Sequence, residues 1–134
     1  MSHGYSWFQE GLMAAFAETE YGNLSKADLQ LLANLDCGET YASELARRMK
    51  VSRQAIGKLL KNLVADGYVS LETDPKRANT KVIVITDAGR QLVFDAIAEL
   101  NRLEEELAKR IGESDARALR RALEADWGDP PKPE

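Results

Sequence analysis

The chain has 134 residues, of which 44% are hydrophobic and 30% are charged, and its net charge is −4 at pH 7. These values are typical of one soluble domain large enough to bury a modest core. No apolar run of about 18 residues occurs, which argues against a membrane-spanning helix and a membrane partner. The N-terminal segment lacks the features of a signal peptide, so we expect a cytoplasmic protein.

Three helices are predicted in the first part of the chain. The first covers residues 5–19, where apolar residues recur at helical spacing. A second begins after Ser25, which is expected to cap it, and ends near Asp36. A third, short helix is expected after Glu39, with the apolar residues Leu45, Ala46 and Met49.

The fourth predicted helix begins after Ser52 and ends before Gly67, which is expected to adopt a left-handed conformation. Its apolar face, expected to lie in the core, comprises Ile56, Leu59, Leu60, Leu63 and Val64. The opposite face carries Gln54, Lys58 and Lys61, with Arg53 in the first turn. We therefore predict that one side of this helix packs inside the protein while the other presents cations to solvent.

A β-hairpin follows this helix. Residues 68–73 alternate apolar and polar side chains, and residues 81–85 are almost continuously β-branched. Residues 74–79 connect the two strands and are predicted to form a polar loop too long for a two-residue turn. The tip of this loop carries Lys76 and Arg77 and is therefore basic.

The last part of the chain is predicted to be helical up to a short tail. Thr86 is expected to cap a long helix that reaches about Ile111, with an apolar seam formed by Val93, Ala96, Leu100, Leu103, Leu107 and Ile111. A final helix is expected to be capped by Ser114, with an apolar stripe formed by Ala116, Leu119, Leu123 and Trp127. Residues 128–134 are rich in proline and are predicted to be disordered. The fold class is therefore mainly α with a small β-hairpin.

Positive charge is concentrated in one segment. Residues 42–81 contain nine Lys or Arg against four acidic residues, a local charge of +5, so the rest of the chain carries −9. A division of this kind favours one module that faces a polyanion, held on an acidic frame.

The order helix, short turn, basic-faced helix and hairpin suits DNA. The major groove admits an α-helix, and Gln54 suits paired contacts with adenine. Arg53, Lys58 and Lys61 suit guanine or a phosphate, and the sequence leaves open which. Lys76 and Arg77 can reach a neighbouring minor groove or the backbone. A cationic helix face alone is more often merely solvated. The prediction of DNA binding therefore depends on finding this face together with the helix-turn-helix spacing and the basic loop.

These segments resemble winged helix-turn-helix repressors of the MarR family. The resemblance covers about residues 24–112 and rests on SELARRM, SRQAIGKLLKNL, DGYV, the Asp-Pro pair at 74–75, and the segment Ile85–Gly89. Three features depart from the family pattern. Tyr41 stands where a capping threonine is usual, so Thr40 or Ser43 is expected to cap the third helix instead. Lys50 stands where glycine is common, and Arg77-Ala78-Asn79 stands where family wings commonly hold Asp-x-Arg.

The resemblance implies a winged-helix lobe joined to a helical dimerisation region, in a homodimer that binds a pseudo-palindromic DNA operator. We expect one domain over residues 1–127, with the lobe at 24–89 and dimerisation helices at 5–21 and 90–127. Carried over by position, the residues that would face the major groove or its phosphates are Ser52, Arg53, Gln54, Gly57, Lys58 and Lys61. Lys76 and Arg77 would form the wing tip.

Dimerisation is also favoured by the amount of apolar surface. A lobe of about 65 residues is too small to cover the seam of the long helix together with the first helix, and large uncovered apolar patches usually mark interfaces. The alternative is that the terminal helices cover the seam within one chain. The residues predicted to form the dimer interface are Phe8, Leu12, Phe16, Leu100, Leu103, Leu107, Leu119 and Leu123.

A small ligand that releases the DNA is a further expectation from the resemblance. The aromatic residues that could line a pocket for an aromatic effector are Trp7, Phe8, Tyr21 and Tyr41. Aromatic residues at helical spacing are, however, more often part of the core.

Other functions have less support. Catalytic motifs are missing, so we expect no enzyme activity and no cofactor. The single Cys37, interpreted as an inert thiol, and the single His3 do not form a metal-ligand set. The alternative to DNA binding is a winged-helix module that binds other proteins, which the net charge of −4 mildly favours.

Overall fold

The computed structural model describes residues 2–35 and 38–133. The predictions for Cys37 and for the side chain of His3 lie outside the described residues. Within them the chain forms six helices and three strands: α1 (Ser2–Ala17), α2 (Lys26–Ala33), β1 (Glu39–Thr40), α3 (Ala42–Met49), α4 (Arg53–Ala65), β2 (Val69–Asp74), β3 (Arg77–Ile85), α5 (Asp87–Ile111) and α6 (Glu113–Glu124). The predicted fold class, mainly α with a small hairpin, is confirmed. No helix in this part of the chain is long and apolar enough to cross a membrane.

Two compact units are present, Met1–Glu99 and Leu100–Glu134. In the first unit, the largest fully buried apolar side chains come from α2, α3, α4, the sheet and the start of α5: Leu31, Leu45, Ile56, Leu63, Val69, Val82, Ile83 and Leu92. In the second unit, Leu103 and Ala116 are buried, and Arg120 of α6 donates to Glu104 of α5 at 2.5 Å.

Several predicted helix caps are confirmed. The Ser25 side chain accepts from the Asp28 amide, and the Asp28 side chain accepts from the Ser25 amide, which together form a capping box. Ser52 accepts from the Ala55 amide at 3.0 Å and begins α4. Each of these bonds satisfies an amide that the first helical turn leaves without a backbone partner.

Other predicted boundaries are wrong. The second helix ends at Ala33 rather than near Asp36. The cap position of α3 is held by Tyr41, whose side chain makes no capping bond, while Thr40 belongs to strand β1 and Ser43 lies inside the helix. Ser114 lies inside the first turn of α6, which follows Gly112; the φ of +95° at Gly112 turns the chain sharply out of α5.

The sheet has the order β1-β3-β2, and both pairs are antiparallel. Thr73 pairs with Lys81, whereas Asp74 pairs with Arg77, so three extra residues of β3 are accommodated at an irregularity next to the tip. The prediction of a loop too long for a two-residue turn is therefore wrong. Pairing continues to Asp74 and Arg77, and only Pro75 and Lys76 lie between the strands.

Two backbone features set the angles between the elements. Lys50, between α3 and α4, is left-handed (φ 56°, ψ 42°), which costs about 1 kcal/mol relative to glycine and explains why glycine suits this position. At Gly89, a Cβ would lie 2.1 Å from the carbonyl oxygen of Tyr68. Thr86 donates to the Gly67 carbonyl at 2.6 Å and accepts from the Gly89 amide at 3.1 Å, which confirms it as the cap of α5. The start of α5 is thereby fixed against the end of α4.

Candidate nucleic-acid interface

The two faces of α4 are separated as predicted. Ile56, Leu60 and Leu63 are buried, while Leu59 is only half-buried and Val64 is exposed, so the core face is narrower than expected. The opposite face is solvent-exposed along its whole length and carries Ser52, Arg53, Gln54, Gly57, Lys58 and Lys61. The structure thus brings together every residue that the sequence placed on this helix surface.

The wing presents its two predicted cations at its tip. Lys76 lies in the turn and Arg77 begins β3, and both are exposed. Arg77 lines the same cavity as Arg53 of α4, so the wing and the helix contribute charge to one surface. We call the exposed residues of α4 and the wing tip together the cationic face.

Charge on the cationic face is not neutralised by ion pairs. Within residues 2–35 and 38–133, no carboxylate forms an ion pair with its basic residues Arg53, Lys58, Lys61, Lys76 and Arg77. By contrast, the neighbouring Arg47 and Arg48 of α3 both pair with Glu44. An unpaired group of cations produces a positive potential that favours an anionic partner.

A bond between Tyr41 and Asp74 holds the wing to the start of α3, and the sequence analysis missed it. The Tyr41 hydroxyl donates to the Asp74 carboxylate at 2.6 Å, and the Lys76 amide donates to the same carboxylate at 2.9 Å. Asp74 is only 2% exposed. The two residues are 33 positions apart, and no periodic signal connects them.

This bond shifts the pKa of both partners. The Tyr41 hydroxyl, followed by the Lys76 amide, lowers the pKa of Asp74 below its usual range, and the nearby charges of Arg77 and Lys76 lower it further. The same hydrogen bond, with some desolvation, raises the pKa of Tyr41. Asp74 is therefore a carboxylate at neutral pH and accepts both hydrogen bonds.

The residues predicted to form a dimer interface differ in their solvent exposure within the single chain. Leu12, Phe16 and Leu103 are buried in the single chain, and Phe8, Leu100 and Leu107 are partly buried. Leu119 and Leu123 of α6 are 40% and 59% exposed.

Two exposed apolar residues of α5 were missed. Phe94 is 67% exposed and Ile97 is 54% exposed, whereas Leu92, outside the predicted seam, is fully buried. Phe94 and Ile97 are spaced three apart, which is a detectable helical signal. The apolar surface of α5 is therefore wider than the predicted seam.

The four aromatic residues proposed for an effector pocket lie in different surroundings. Trp7 and Phe8 pack edge to face, with ring centroids 5.0 Å apart. Tyr21 is buried against Phe16 and Tyr68 and donates to Asp95, so it belongs to the core. Tyr41 lies at the wing.

The order α3, turn, α4 and a β-hairpin wing, with a cationic outer surface on α4, defines a winged helix-turn-helix protein. The sequence pattern of the MarR family matches residues 23–78. No curated protein sequence is significantly similar to the chain.

Solved structures share this fold. A MarR-family transcriptional regulator from Rhodococcus sp. RHA1 has 20% sequence identity and a TM-score of 0.70, with 91% of this chain and 86% of that one covered. The transcriptional repressor CouR bound to a 23-mer DNA duplex has 21% identity and a TM-score of 0.73, covering 91% and 85%. CouR from Rhodococcus jostii RHA1 bound to p-coumaroyl-CoA has 20% identity and a TM-score of 0.69, covering 91% and 85%. The resemblance is thus confirmed: the chain carries the MarR-family pattern at residues 23–78 on a fold that MarR-family structures share.

Replacing Tyr41 by phenylalanine is expected to reduce stability at neutral pH, with a loss that disappears in acid. Because the folded-state pKa of Asp74 is lowered, the bond stabilises the fold above the unfolded-state pKa of about 3.9 and is lost as the pH falls through the lower folded-state value. The difference in the free energy of unfolding between wild type and Tyr41→Phe should therefore shrink as the pH falls. Urea unfolding at a series of pH values measures it.

Tyr68→Phe is the matched control. The pKa of Tyr68 is raised mainly by desolvation and not by a hydrogen bond to a carboxylate, so its effect on stability should not vary in acid. If the stability loss depended on pH equally in the two variants, the Tyr41–Asp74 hydrogen bond would not be its source.

Proposed function

We propose that the chain is a DNA-binding transcriptional regulator: a homodimeric repressor that binds a pseudo-palindromic operator through residues 52–66 and the wing at 74–81. The observation that carries the proposal is the exposed cationic face of α4 beside a basic wing tip, whose charges form no ion pair within residues 2–35 and 38–133. The likeness to CouR, which was solved bound to a DNA duplex, also supports DNA binding. Binding of another protein through the winged helix is the alternative outcome of the tests below.

The chemistry of α4 suits the major groove. An α-helix fits this groove when one side packs on the protein and the other carries cations and amides. Gln54 is an amide that can form paired contacts with adenine, and Arg53, Lys58 and Lys61 provide charge for guanine or for phosphates. All four side chains are exposed on one helix whose other side is fixed by Ile56 and Leu63.

Gly57 gives independent support for close contact at α4. A glycine inside a helix costs about 1 kcal/mol relative to alanine, yet a Cβ at Gly57 would meet no atom within 4 Å. Packing within the chain therefore does not require glycine here. A partner that lies close to the helix backbone would require it, as a DNA backbone or base edge would.

Dimerisation is part of the proposal because a two-fold assembly presents two recognition helices to successive turns of DNA. Exposed apolar side chains on α5 and α6 and just beyond α6 provide the surface: Phe94, Ile97, Ile111, Leu119, Leu123 and Trp127. Control by a small ligand is a further part of it, supported by the fold shared with CouR, which was solved bound to p-coumaroyl-CoA.

Arg53→Ala and Lys58→Ala are each expected to weaken binding to a selected duplex by about 1–3 kcal/mol if they contact bases, with a smaller, sequence-independent loss if they contact phosphates. The duplex is obtained by selection from random DNA, and affinity is measured by fluorescence anisotropy at several salt concentrations. The logarithm of the binding constant should fall with the logarithm of salt, by about 0.9 for each phosphate neutralised. Lys132→Ala, in the C-terminal segment, should bind as wild type does. A wild-type chain that binds no duplex at low salt would contradict the proposed function.

Gly57→Ala is expected to raise stability and lower DNA affinity. The methyl group should stabilise α4 by about 1 kcal/mol, while its intrusion at the interface should weaken binding by roughly tenfold or more. Urea unfolding and anisotropy measure the two effects. Gly4→Ala in α1, where a Cβ also meets no atom within 4 Å, should not weaken DNA binding. Unchanged affinity in Gly57→Ala would exclude close backbone contact at this position.

The double variant Leu119→Glu and Leu123→Glu is expected to sediment with the mass of one chain, 14.9 kDa, whereas the wild type sediments with twice that mass. Both leucines are exposed, so the charges should disrupt association without unfolding the monomer. Leu71→Glu replaces an exposed leucine of the wing and should leave the dimer intact. A monomeric wild type would contradict the two-fold assembly.

A further inference from the structure

A polar cavity lies where the start of α3, the start of α4 and the wing meet. Its volume is about 340 Å³, and its lining residues are Tyr41, Ser43, Arg53, Arg77 and Thr80. Two of these five side chains are guanidinium groups, and the other three are hydroxyl-bearing. All five can donate hydrogen bonds. We call this cavity the wing pocket.

The charges of the wing pocket are available to a ligand. Neither Arg53 nor Arg77 forms an ion pair with any carboxylate in the described part of the chain. The nearby carboxylate, Asp74, already accepts from the Tyr41 hydroxyl and the Lys76 amide. Two guanidinium groups that line one cavity repel each other, and an anion between them would offset the repulsion.

The backbone of α3 adds donors on the same side. The cap residue Tyr41 makes no side-chain bond to the first turn of α3, whereas the cap residues Ser25 and Ser52 do so in α2 and α4. Ser43 lies in this first turn and lines the wing pocket. Uncapped amides at a helix start favour a phosphate or another anion.

The lining favours a nucleic-acid phosphate over a small effector. Pockets for small molecules are lined mainly by apolar side chains. Among the residues that the structure describes, none of those lining the wing pocket is aliphatic, and the pocket opens between the two elements that form the cationic face. A backbone phosphate that lies between the recognition helix and the wing would meet both guanidinium groups.

We propose that the wing pocket holds one phosphate of the DNA backbone in each half-site, bound by Arg53, Arg77 and the hydroxyls of Ser43 and Thr80. This inference rests on the DNA-binding function proposed above and specifies its contact with the backbone. Tyr41 is a positioning residue: through Asp74, which also accepts from the Lys76 amide, it fixes the wing turn and thereby the distance of Arg77 from α4.

The experiment scans single backbone phosphates of a selected duplex by replacing each in turn with an uncharged methylphosphonate. Wild type, Arg77→Gln and Ser43→Ala are titrated against every modified duplex, with Lys132→Gln as a control that loses one charge elsewhere. Arg77 and Ser43 are exposed, so both variants should fold, and urea unfolding checks this. Double-mutant cycles then report which phosphate is coupled to which side chain.

We expect one phosphate per half-site at which the modification weakens wild-type binding roughly tenfold. At that position the modification should change the DNA affinity of Arg77→Gln little and that of Ser43→Ala less than that of wild type. The affinity of Lys132→Gln should change as much as that of wild type. Tyr41→Phe should also weaken the coupling between this phosphate and Arg77. Because the Tyr41 hydroxyl is not among the groups proposed to contact the phosphate, this loss would show that Tyr41 acts by positioning the wing.

Three results would overturn the inference. If wild type binds the duplex but no phosphate is coupled to Arg77 or Ser43, the wing pocket is not a phosphate site and the proposed function stands. If inorganic phosphate at constant ionic strength displaces DNA from wild type but not from Arg77→Gln, and no coupling is seen, the wing pocket takes a free anion. If wild type binds no duplex, both this inference and the proposed function fail.

Discussion

The rest of the structure depends on the burial of one side of α4. Ile56 and Leu63 are fully buried and Leu60 nearly so, against α2, α3 and the sheet, and this fixes the rotation of the helix about its axis. Once the rotation is fixed, the side chains at the intervening positions must face solvent, because residues on an α-helix repeat every 3.6 positions. Arg53, Gln54 and Lys58 therefore face solvent because the apolar residues on the other side of α4 are packed in the core.

The wing is joined to the start of α3 through a polar contact. Pairing between β2 and β3 continues to the tip, where Asp74 is buried beneath the two-residue turn. A buried carboxylate is costly unless its hydrogen bonds are satisfied, and the Tyr41 hydroxyl and the Lys76 amide satisfy those of Asp74. The chain thus fixes a basic tip by means of an acidic residue. Arg77 forms no ion pair with the described residues, although its charge helps to lower the pKa of Asp74.

The second unit poses a different physical problem. Leu103 and Ala116 are buried, and Arg120 pairs with Glu104. By contrast, Leu119 and Leu123 of α6 and Trp127 just beyond it remain exposed. Exposure of this extent is unfavourable for an isolated chain, and burial against a second copy would remove it. The proposed dimer would in this way satisfy the apolar surface of the terminal helices and place two cationic faces on one duplex.

Several features of this protein were determined by the sequence alone. Local signals placed α4 and its caps, because Ser52 bonds to an amide three residues away and apolar spacing is a property of a single helix. The segregation of positive charge into residues 42–81 is likewise a property of the sequence. The candidate contacts Arg53, Gln54, Lys58 and Lys61 followed from these two signals.

Other features were decided only by the tertiary structure. Tyr41 and Asp74 are separated by 33 positions, and their bond exists because β3 brings the wing back to the start of α3. The turn at Pro75 and Lys76 was mistaken for a long loop, since the three residues accommodated next to Asp74 carry no local signature. The wing pocket combines side chains from three separate segments, and no window of sequence contains them all. Local order follows from neighbours in the chain, whereas a site formed by distant residues depends on packing that no single segment specifies.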